Sequence, residues 1–351
     1  MAYFSVNTNV SCYPYISEND FKMISHKQNI AILLSENVIS KQECLDYEGF
    51  DTQELYDLTY QYCQSFLDLY SEEYGISPAR MYFRNDMSIN ACASKRKGYY
   101  LIGLNHGTLY SLYSFFHQHK HVFQQEEFKN FKDLFPASHI KVNELLTVII
   151  YQFLFYHEVA HLVQLKNETE FAHEECAENG EQTSDVLMRH VYEFDADWHG
   201  ACKAAFFILD TIASENNTTI GKNILSQITA LTIAGIVSHF IKSTSNTPLY
   251  FEQTEHPHNF IRLIYVTDFI LPVIIHNTGI DLKTAEILLE VLKLVNAFFI
   301  NEQDNPFKDF INVYIQNKKE INAYILRIKE TSKTYDNLGM KQLKSIYMSK
   351  K

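Results

Sequence analysis

Residues 145–166, LLTVIIYQFLFYHEVAHLVQLK, decide the fold. A long, mostly apolar run leads into His157 and His161, and this pattern predicts a buried helix from about residue 142 to residue 166. Side chains four residues apart lie about one turn from each other on the same helix face. Both imidazoles can therefore bind one metal ion.

Glu158 follows the first histidine directly, and its carboxylate can take a proton from a metal-bound water. Together the residues form HExxH, the signature of zinc peptidases. With 15 His and 42 acidic residues among 351, chance supplies HExxH or HDxxH at most roughly 0.1 times per chain. The alternative is a core helix that carries two hydrogen-bonded histidines.

A catalytic zinc site takes three protein ligands, so one more side chain is needed. The HExxHxxGxxH continuation is excluded, because Gln164 and Asn167 stand where that pattern has Gly and His. A second segment with helical, mostly buried character, residues 184–210, carries Glu193 and Asp197 one turn apart. Glu193 can complete the metal coordination, and Asp197 can accept a hydrogen bond from the outer nitrogen of a ligating histidine.

Other side chains compete with Glu193 for the role of third ligand. Residues 167–185, NETEFAHEECAENGEQTSD, are acidic without Lys or Arg, which predicts a mobile loop between the two helices. The competing candidates are His173, Glu174, Glu175, Glu178 and, more strongly, Asp197. We prefer Glu193 because a helix holds a ligand more firmly than a polar loop does.

Taken together, HEVAH and the later EFDAD resemble the gluzincin peptidases, in particular the group that contains the CaaX-prenyl and heat-shock membrane proteases. In that group the third ligand is the Glu of an ExxAD pattern on a second helix. Residues 89–93 (INACA), 98–104 (GYYLIGL) and 107–109 (GTL) are similar to the segments that precede its active-site helix. His256-Pro257 and Arg262 are similar to its H-P-x-x-x-x-R pattern, so the resemblance spans residues 85–265.

The resemblance implies a role for each matching residue. His157, His161 and Glu193 would hold Zn²⁺, with Glu158 as general base. Asn90 and Ala91 would belong to an edge strand that binds the substrate backbone as an added strand. His256 and Arg262 would face the cleft and stabilise the oxyanion. For this last pair a structural cap at a helix start, with Arg262 paired to an acid, is an equal alternative.

The chain departs from the membrane members of that group. Its longest apolar runs, 145–156 and 224–241, are too short or too interrupted to predict a membrane span. Residues 1–12, MAYFSVNTNVSC, lack the basic start and apolar core of a signal peptide. The nearer resemblance is therefore to soluble gluzincins, including the bacterial phage-exclusion (Lit-type) peptidases, and we expect a cytoplasmic location.

Composition narrows the possible functions further. A hydrophobic content of 46% excludes a disordered chain, and a net charge of −12 argues against nucleic-acid binding, which needs a basic surface. The six cysteines have no CxxC spacing, which argues against a cysteine-built metal site and favours reduced thiols.

The periodicity predicts an α+β, predominantly helical protein, with a small β-sheet next to the HExxH helix and the glutamate-bearing helix. A capping box of Asp51 and Glu54 predicts the start of a helix that Gly75 ends. The sheet is predicted to contain strands 81–84, 88–93 and 99–104, with a basic hairpin turn at 94–98. Further helices are predicted at 107–118, 220–242, 282–300 and 317–331.

Three regions are predicted along the chain. An N-terminal helical region occupies residues 1–80, a zinc metallopeptidase core residues 81–275, and a C-terminal helical region residues 276–351. The expected function is zinc-dependent endopeptidase activity on a protein or peptide substrate. The alternatives are a catalytically silent zinc protein that uses its cleft to bind a partner, and metal-dependent hydrolysis of a different amide.

Overall fold

Helices make up most of the computed structural model, which describes residues 24–132, 134, 141–167, 171–174, 186–214, 221–244, 248–254, 256–302, 305–334 and 341. A small mixed sheet completes the architecture, so the prediction of an α+β, predominantly helical protein is confirmed. The helices are α1 (His26–Ser35), α2 (Gln53–Tyr74), α3 (His106–Gln118), α4 (Lys129–Lys132), α5 (Val142–Gln164), α6 (Val186–Ser214), α7 (Lys222–Ser243), α8 (Asn259–Thr278), α9 (Thr284–Phe299) and α10 (Pro306–Thr334).

The sheet contains the strands β1 (Ala79–Arg84), β2 (Ala91–Arg96), β3 (Tyr99–Asn105) and β4 (Phe171–Glu174) in the spatial order β1-β3-β2-β4. β1 runs parallel to β3, whereas β2 is antiparallel to both β3 and β4. The hairpin turn is shorter than predicted: Ser94 to Arg96 belong to β2. Lys97 and Gly98 form the turn, with φ values of 49° and 82°. Two residues with positive φ match the twist of a two-residue hairpin.

The prediction that the second strand is an edge strand is wrong over most of its length. β4 pairs with β2 from Cys92, opposite Glu174, to Lys95, opposite Phe171. Ala91 lies just beyond this pairing, and Asn90 precedes the strand. The acidic segment that contains β4 has no apolar alternation long enough to predict a strand, so its pairing depends on tertiary structure.

The long helix α5 lies between two apolar layers. Its residues on one side belong to a cluster with α2 and the sheet, and those on the other side to a larger cluster with α6 to α10. A helix that is covered all round needs no polar face, which accounts for the unbroken apolar run in the sequence.

Within the described part of the chain, three helices are long and apolar enough to cross a membrane by length and composition: α5, α7 and α8. In the sequence the runs 145–156 and 224–241 are too short or too interrupted to predict a span, but the helices that contain them, α5 and α7, meet the length and composition of one. The protein itself buries 94% of the most apolar window of α5, 83% of that of α7 and 50% of that of α8.

The start of α2 differs from the prediction, whereas α8 begins within the segment that contains His256 and Arg262, where a helix start was one of the two alternatives. α2 begins at Gln53 after Thr52 without a side-chain cap, so the capping box at Asp51 is wrong, whereas its end at Gly75, with φ of 70°, is confirmed. α8 is capped by His258, whose side chain accepts a hydrogen bond from the backbone N–H of Phe260, and Pro257 precedes it.

Candidate metal centre

The centre is formed where α5 packs against α6. His157 and His161 lie on one face of α5, as their spacing predicts, with their Nε2 atoms 2.9 Å apart and their ring planes at 80°. Glu193 of α6 faces both rings: its carboxylate oxygens lie 3.1 Å from Nε2 of His161 and 3.5 Å from Nε2 of His157. All three side chains are buried.

A glycine allows the two helices to approach closely beside this site. A Cβ on Gly200 of α6 would lie 2.8 Å from the carbonyl oxygen of Phe153 on α5 and 3.0 Å from its ring. Real Cβ atoms do not approach backbone oxygen that closely, so a larger residue would push the helices apart. Gly200 is thus one reason why Glu193 reaches the histidines.

The separations between the donor atoms fit a metal ion. Zinc binds nitrogen and oxygen at about 2.0–2.2 Å, so two ligands of a tetrahedral site lie about 3.3 Å apart. The observed separations of 2.9, 3.1 and 3.5 Å bracket that value. His157, His161 and Glu193 therefore form a buried group that could hold a metal ion, and three protein ligands would leave one position for a further ligand.

The pKa values of the three side chains at the centre are shifted in different directions. Burial disfavours a charged His157, but the hydrogen bond with Asp197 and the charge of Glu193 outweigh burial and raise its pKa to about 9. Burial lowers the pKa of His161. Burial also opposes ionisation of Glu193, but the imidazoles of His256 and His161 hold its pKa well below the usual range.

Asp197 connects the centre to α8. Its Oδ1 lies 2.9 Å from Nδ1 of His157, the nitrogen that faces away from Glu193, as the sequence predicts for a residue behind a ligand. Arg262 donates to both oxygens of Asp197, at 2.9 Å from Nε and 2.8 Å from Nη2, and Tyr265 donates from its hydroxyl at 2.8 Å. These contacts outweigh the cost of burial and lower the pKa of Asp197.

The two residues predicted to face the cleft have different surroundings. The Arg262 side chain is 2% exposed, and its bidentate pairing with Asp197 corresponds to the structural alternative. Nη2 of Arg262 also lies 3.5 Å from Glu193. The His256 side chain is 12% exposed, and its Nδ1 lies 3.2 Å from Oε1 of Glu193. His256 therefore borders the metal-binding group, and its catalytic role stays a prediction.

Glu158, the predicted general base, is fully buried on α5 and follows His157.

Asn90 is fixed to the start of α3: the Thr108 hydroxyl accepts from its backbone N–H and donates to its carbonyl, both at 2.7 Å. Its side-chain oxygen accepts from the N–H of Ala91 at 2.7 Å. The substrate-binding role of Asn90 and Ala91 stays a prediction.

The competing third ligands are only partly within the described residues. His173 and Glu174 belong to β4, whereas Glu175 and Glu178, with most of the predicted mobile loop, lie outside the described residues. Asp197 is placed behind His157 and not among the three converging donors.

Among the described residues, Gln164 and Tyr265 contact this centre and were not predicted to do so. Gln164 contacts His161, and Tyr265 contacts Asp197. The only sequence signal for either is spacing: Gln164 follows His161 by three residues, and Tyr265 follows Arg262 by three, so each pair shares a helix face.

Comparison of the chain with models of protein families, with curated proteins and with solved structures finds no match.

Proposed function

We propose that the protein is a zinc-dependent endopeptidase of the gluzincin type, with His157, His161 and Glu193 as the zinc ligands. The observation that carries the proposal is the convergence of two imidazole Nε2 atoms and one carboxylate from two helices, with a further buried carboxylate, Glu158, at the position that follows His157 in α5. A site that only stabilises the fold has no need of an acid next to the metal that is not a ligand. Nitrogen and carboxylate ligands in this number are typical of catalytic zinc.

Each residue of the centre then has a defined task. Bound zinc acidifies water and polarises a carbonyl group. Glu158 takes the proton of the attacking water and returns it to the leaving amine. Asp197 holds the His157 ring through Nδ1, and Arg262 and Tyr265 hold Asp197. His256, whose Nδ1 lies 3.2 Å from Oε1 of Glu193, would donate to a developing oxyanion.

The strand pairing within the sheet limits where a peptide substrate can add as a further strand. A main-chain edge pairs with one strand at a time, and β4 already pairs with β2 from Cys92 to Lys95. A substrate that adds to β2 would therefore either displace β4 or pair near Ala91, beyond the end of β4, whereas addition to β4 itself, the last strand of the sheet, would leave β2 covered.

A second function is favoured by the burial of the centre. His157, Glu158, His161 and Glu193 are each 0% exposed, whereas a catalytic site must admit a peptide carbonyl. This observation supports the alternative function, a zinc-binding protein without peptidase activity.

Substitution of Glu158 by Gln separates the two functions. In the peptidase, Glu158→Gln keeps zinc bound and abolishes cleavage of a mixed peptide library, as a chelator also does to the wild type. The control is Glu144→Gln, which alters another carboxylate of α5 that pairs with Lys141 at the far end of the helix and is expected to leave cleavage unchanged. Zinc binding by the wild type without chelator-sensitive cleavage would support the non-enzymatic function instead.

A further inference from the structure

One side chain, that of Gln164, joins a proposed metal ligand to the backbone of the opposite helix. Its Oε1 lies 2.7 Å from Nδ1 of His161, and its Nε2 lies 2.8 Å from the backbone oxygen of Tyr192. Tyr192 directly precedes Glu193, the ligand from α6. Gln164 is 7% exposed and is the last residue of α5.

The backbone fixes which way the amide of Gln164 points. A carbonyl oxygen can only accept a hydrogen bond, so the atom that faces Tyr192 must be the NH₂ group. The amide oxygen therefore faces His161. This orientation follows from the chemistry of the partner and not from the placement of nearly indistinguishable atoms.

The amide in turn fixes the tautomer of His161. An amide oxygen can only accept, so Nδ1 of His161 must carry the hydrogen. In a neutral imidazole this leaves the lone pair on Nε2, the atom that faces His157 and Glu193. The carbonyl of Tyr192 thus determines, through Gln164, which nitrogen of His161 is available to a metal ion.

The two imidazoles have chemically different partners behind them. His157 faces the carboxylate of Asp197, which is anchored to α8, whereas His161 faces a neutral amide that is anchored to α6. Hydrogen-bond partners of ligating histidines set ring orientation and contribute to metal affinity. Neither the HExxH pattern nor the later glutamate predicts an amide in this place.

We propose that Gln164 is a positioning residue of the metal centre, which holds His161 with Nε2 towards the metal and ties that ligand to the helix that carries Glu193. The proposal rests on the metal site of the proposed function. It assigns Gln164 no contact with the substrate.

Two substitutions separate the two contacts of Gln164. Gln164→Met has a similar length and removes both contacts. Gln164→Glu keeps an acceptor for Nδ1 of His161 and loses the donor to Tyr192. The matched control is Gln152→Met, which changes another buried glutamine of the same helix. Zinc affinity is measured by competition with a chelator, and thermal unfolding of the metal-free variants is recorded beside it.

We expect Gln164→Met to weaken zinc binding by about 10- to 100-fold and Gln164→Glu to recover part of that loss, because it keeps the acceptor for His161 and loses the donor to Tyr192. We expect Gln152→Met to bind zinc as the wild type does, even where it lowers the melting temperature. The proposal is overturned if Gln164→Met binds zinc within about twofold of the wild type, or if Gln164→Glu is as weak as Gln164→Met.

A measurement on the wild type covers the case in which Gln164→Met does not fold. Long-range ¹H–¹⁵N correlation spectra of histidine-labelled protein report which ring nitrogen carries hydrogen. We expect His161 to carry it on Nδ1 in both the zinc-loaded and the metal-free protein, and hydrogen on Nε2 would overturn the proposal. A wild type that binds no zinc rejects the proposed function, while the spectrum of the metal-free protein still tests the role of Gln164.

Discussion

Oδ1 of Asp197 lies 2.9 Å from Nδ1 of His157, within a buried network that also contains Arg262 and Tyr265. One carboxylate thereby holds a proposed metal ligand on α5 and a buried guanidinium on α8. Its removal should affect metal binding and folding together.

Asp197→Asn is expected to weaken zinc binding by about 10- to 100-fold, because the His157 ring loses its charged partner. The same change removes the bidentate carboxylate partner of the buried Arg262 and leaves it the more distant Glu193, at 3.5 Å from Nη2, which should lower the free energy of unfolding by about 3–5 kcal/mol. Chelator competition and urea unfolding measure the two effects. Asp268→Asn is the control, since Asp268 is 61% exposed and pairs with Lys329 at 3.5 Å. Wild-type values for Asp197→Asn in both assays would contradict this assignment.

Gly200→Ala is expected to lower the free energy of unfolding by about 1–3 kcal/mol, because the added methyl group would meet the carbonyl of Phe153. Separation of α5 from α6 should also weaken zinc binding. Gly221→Ala provides the control: no atom lies within 4 Å of its Cβ position, so the expected cost is only the loss of glycine at the N-cap of α7, about 0.5–1 kcal/mol, with zinc binding unchanged. Equal stability of the two variants in urea unfolding would show that α5 and α6 do not depend on this close contact.

His26 should make the protein less stable in acid. Burial among Tyr47, Tyr60 and Phe83 lowers the pKa of His26 to about 4, whereas an unfolded histidine titrates near 6.5. Between these values the unfolded chain binds more protons than the folded chain, so the free energy of unfolding falls as the pH falls from about 6.5 towards about 4.

His26→Phe is expected to remove this part of the pH dependence. Urea unfolding of the metal-free protein at several pH values, compared with the wild type, isolates the effect of His26 from that of the metal centre. The control His276→Phe makes the same substitution at an exposed histidine of α8. An unchanged slope in His26→Phe would mean that His26 is already solvated in the folded protein.

The features that the sequence predicts well are those carried by one helix. The apolar run before His157 predicts α5, and spacing alone places His161 and the pair Glu193 and Asp197 on shared faces. Such patterns are local, because helix geometry relates residues three or four apart whatever the rest of the chain does.

Contacts between segments that are far apart in the sequence leave no such local pattern of residues. The pairing of Arg262 with Asp197 brings together residues 65 positions apart, and the bridge from Gln164 to Tyr192 joins residues 28 apart. β4 lies in an acidic segment whose local sequence pattern predicts a loop. It forms a strand through backbone pairing with β2, which the local pattern does not show. The predicted capping box made Asp51 the N-cap of α2. The N-cap is instead Thr52, one residue later, and its side chain makes no capping hydrogen bond.

The most direct test of the account is the zinc content of purified protein, measured by mass spectrometry for the wild type, Glu193→Gln and Glu174→Gln. Glu174 is the matched control, since it is a competing carboxylate from the acidic segment. We predict about one zinc ion per chain in the wild type and in Glu174→Gln, and loss of tightly bound zinc in Glu193→Gln. A wild type without bound metal, or a Glu193→Gln variant that keeps zinc as firmly as the wild type, would contradict the proposed centre.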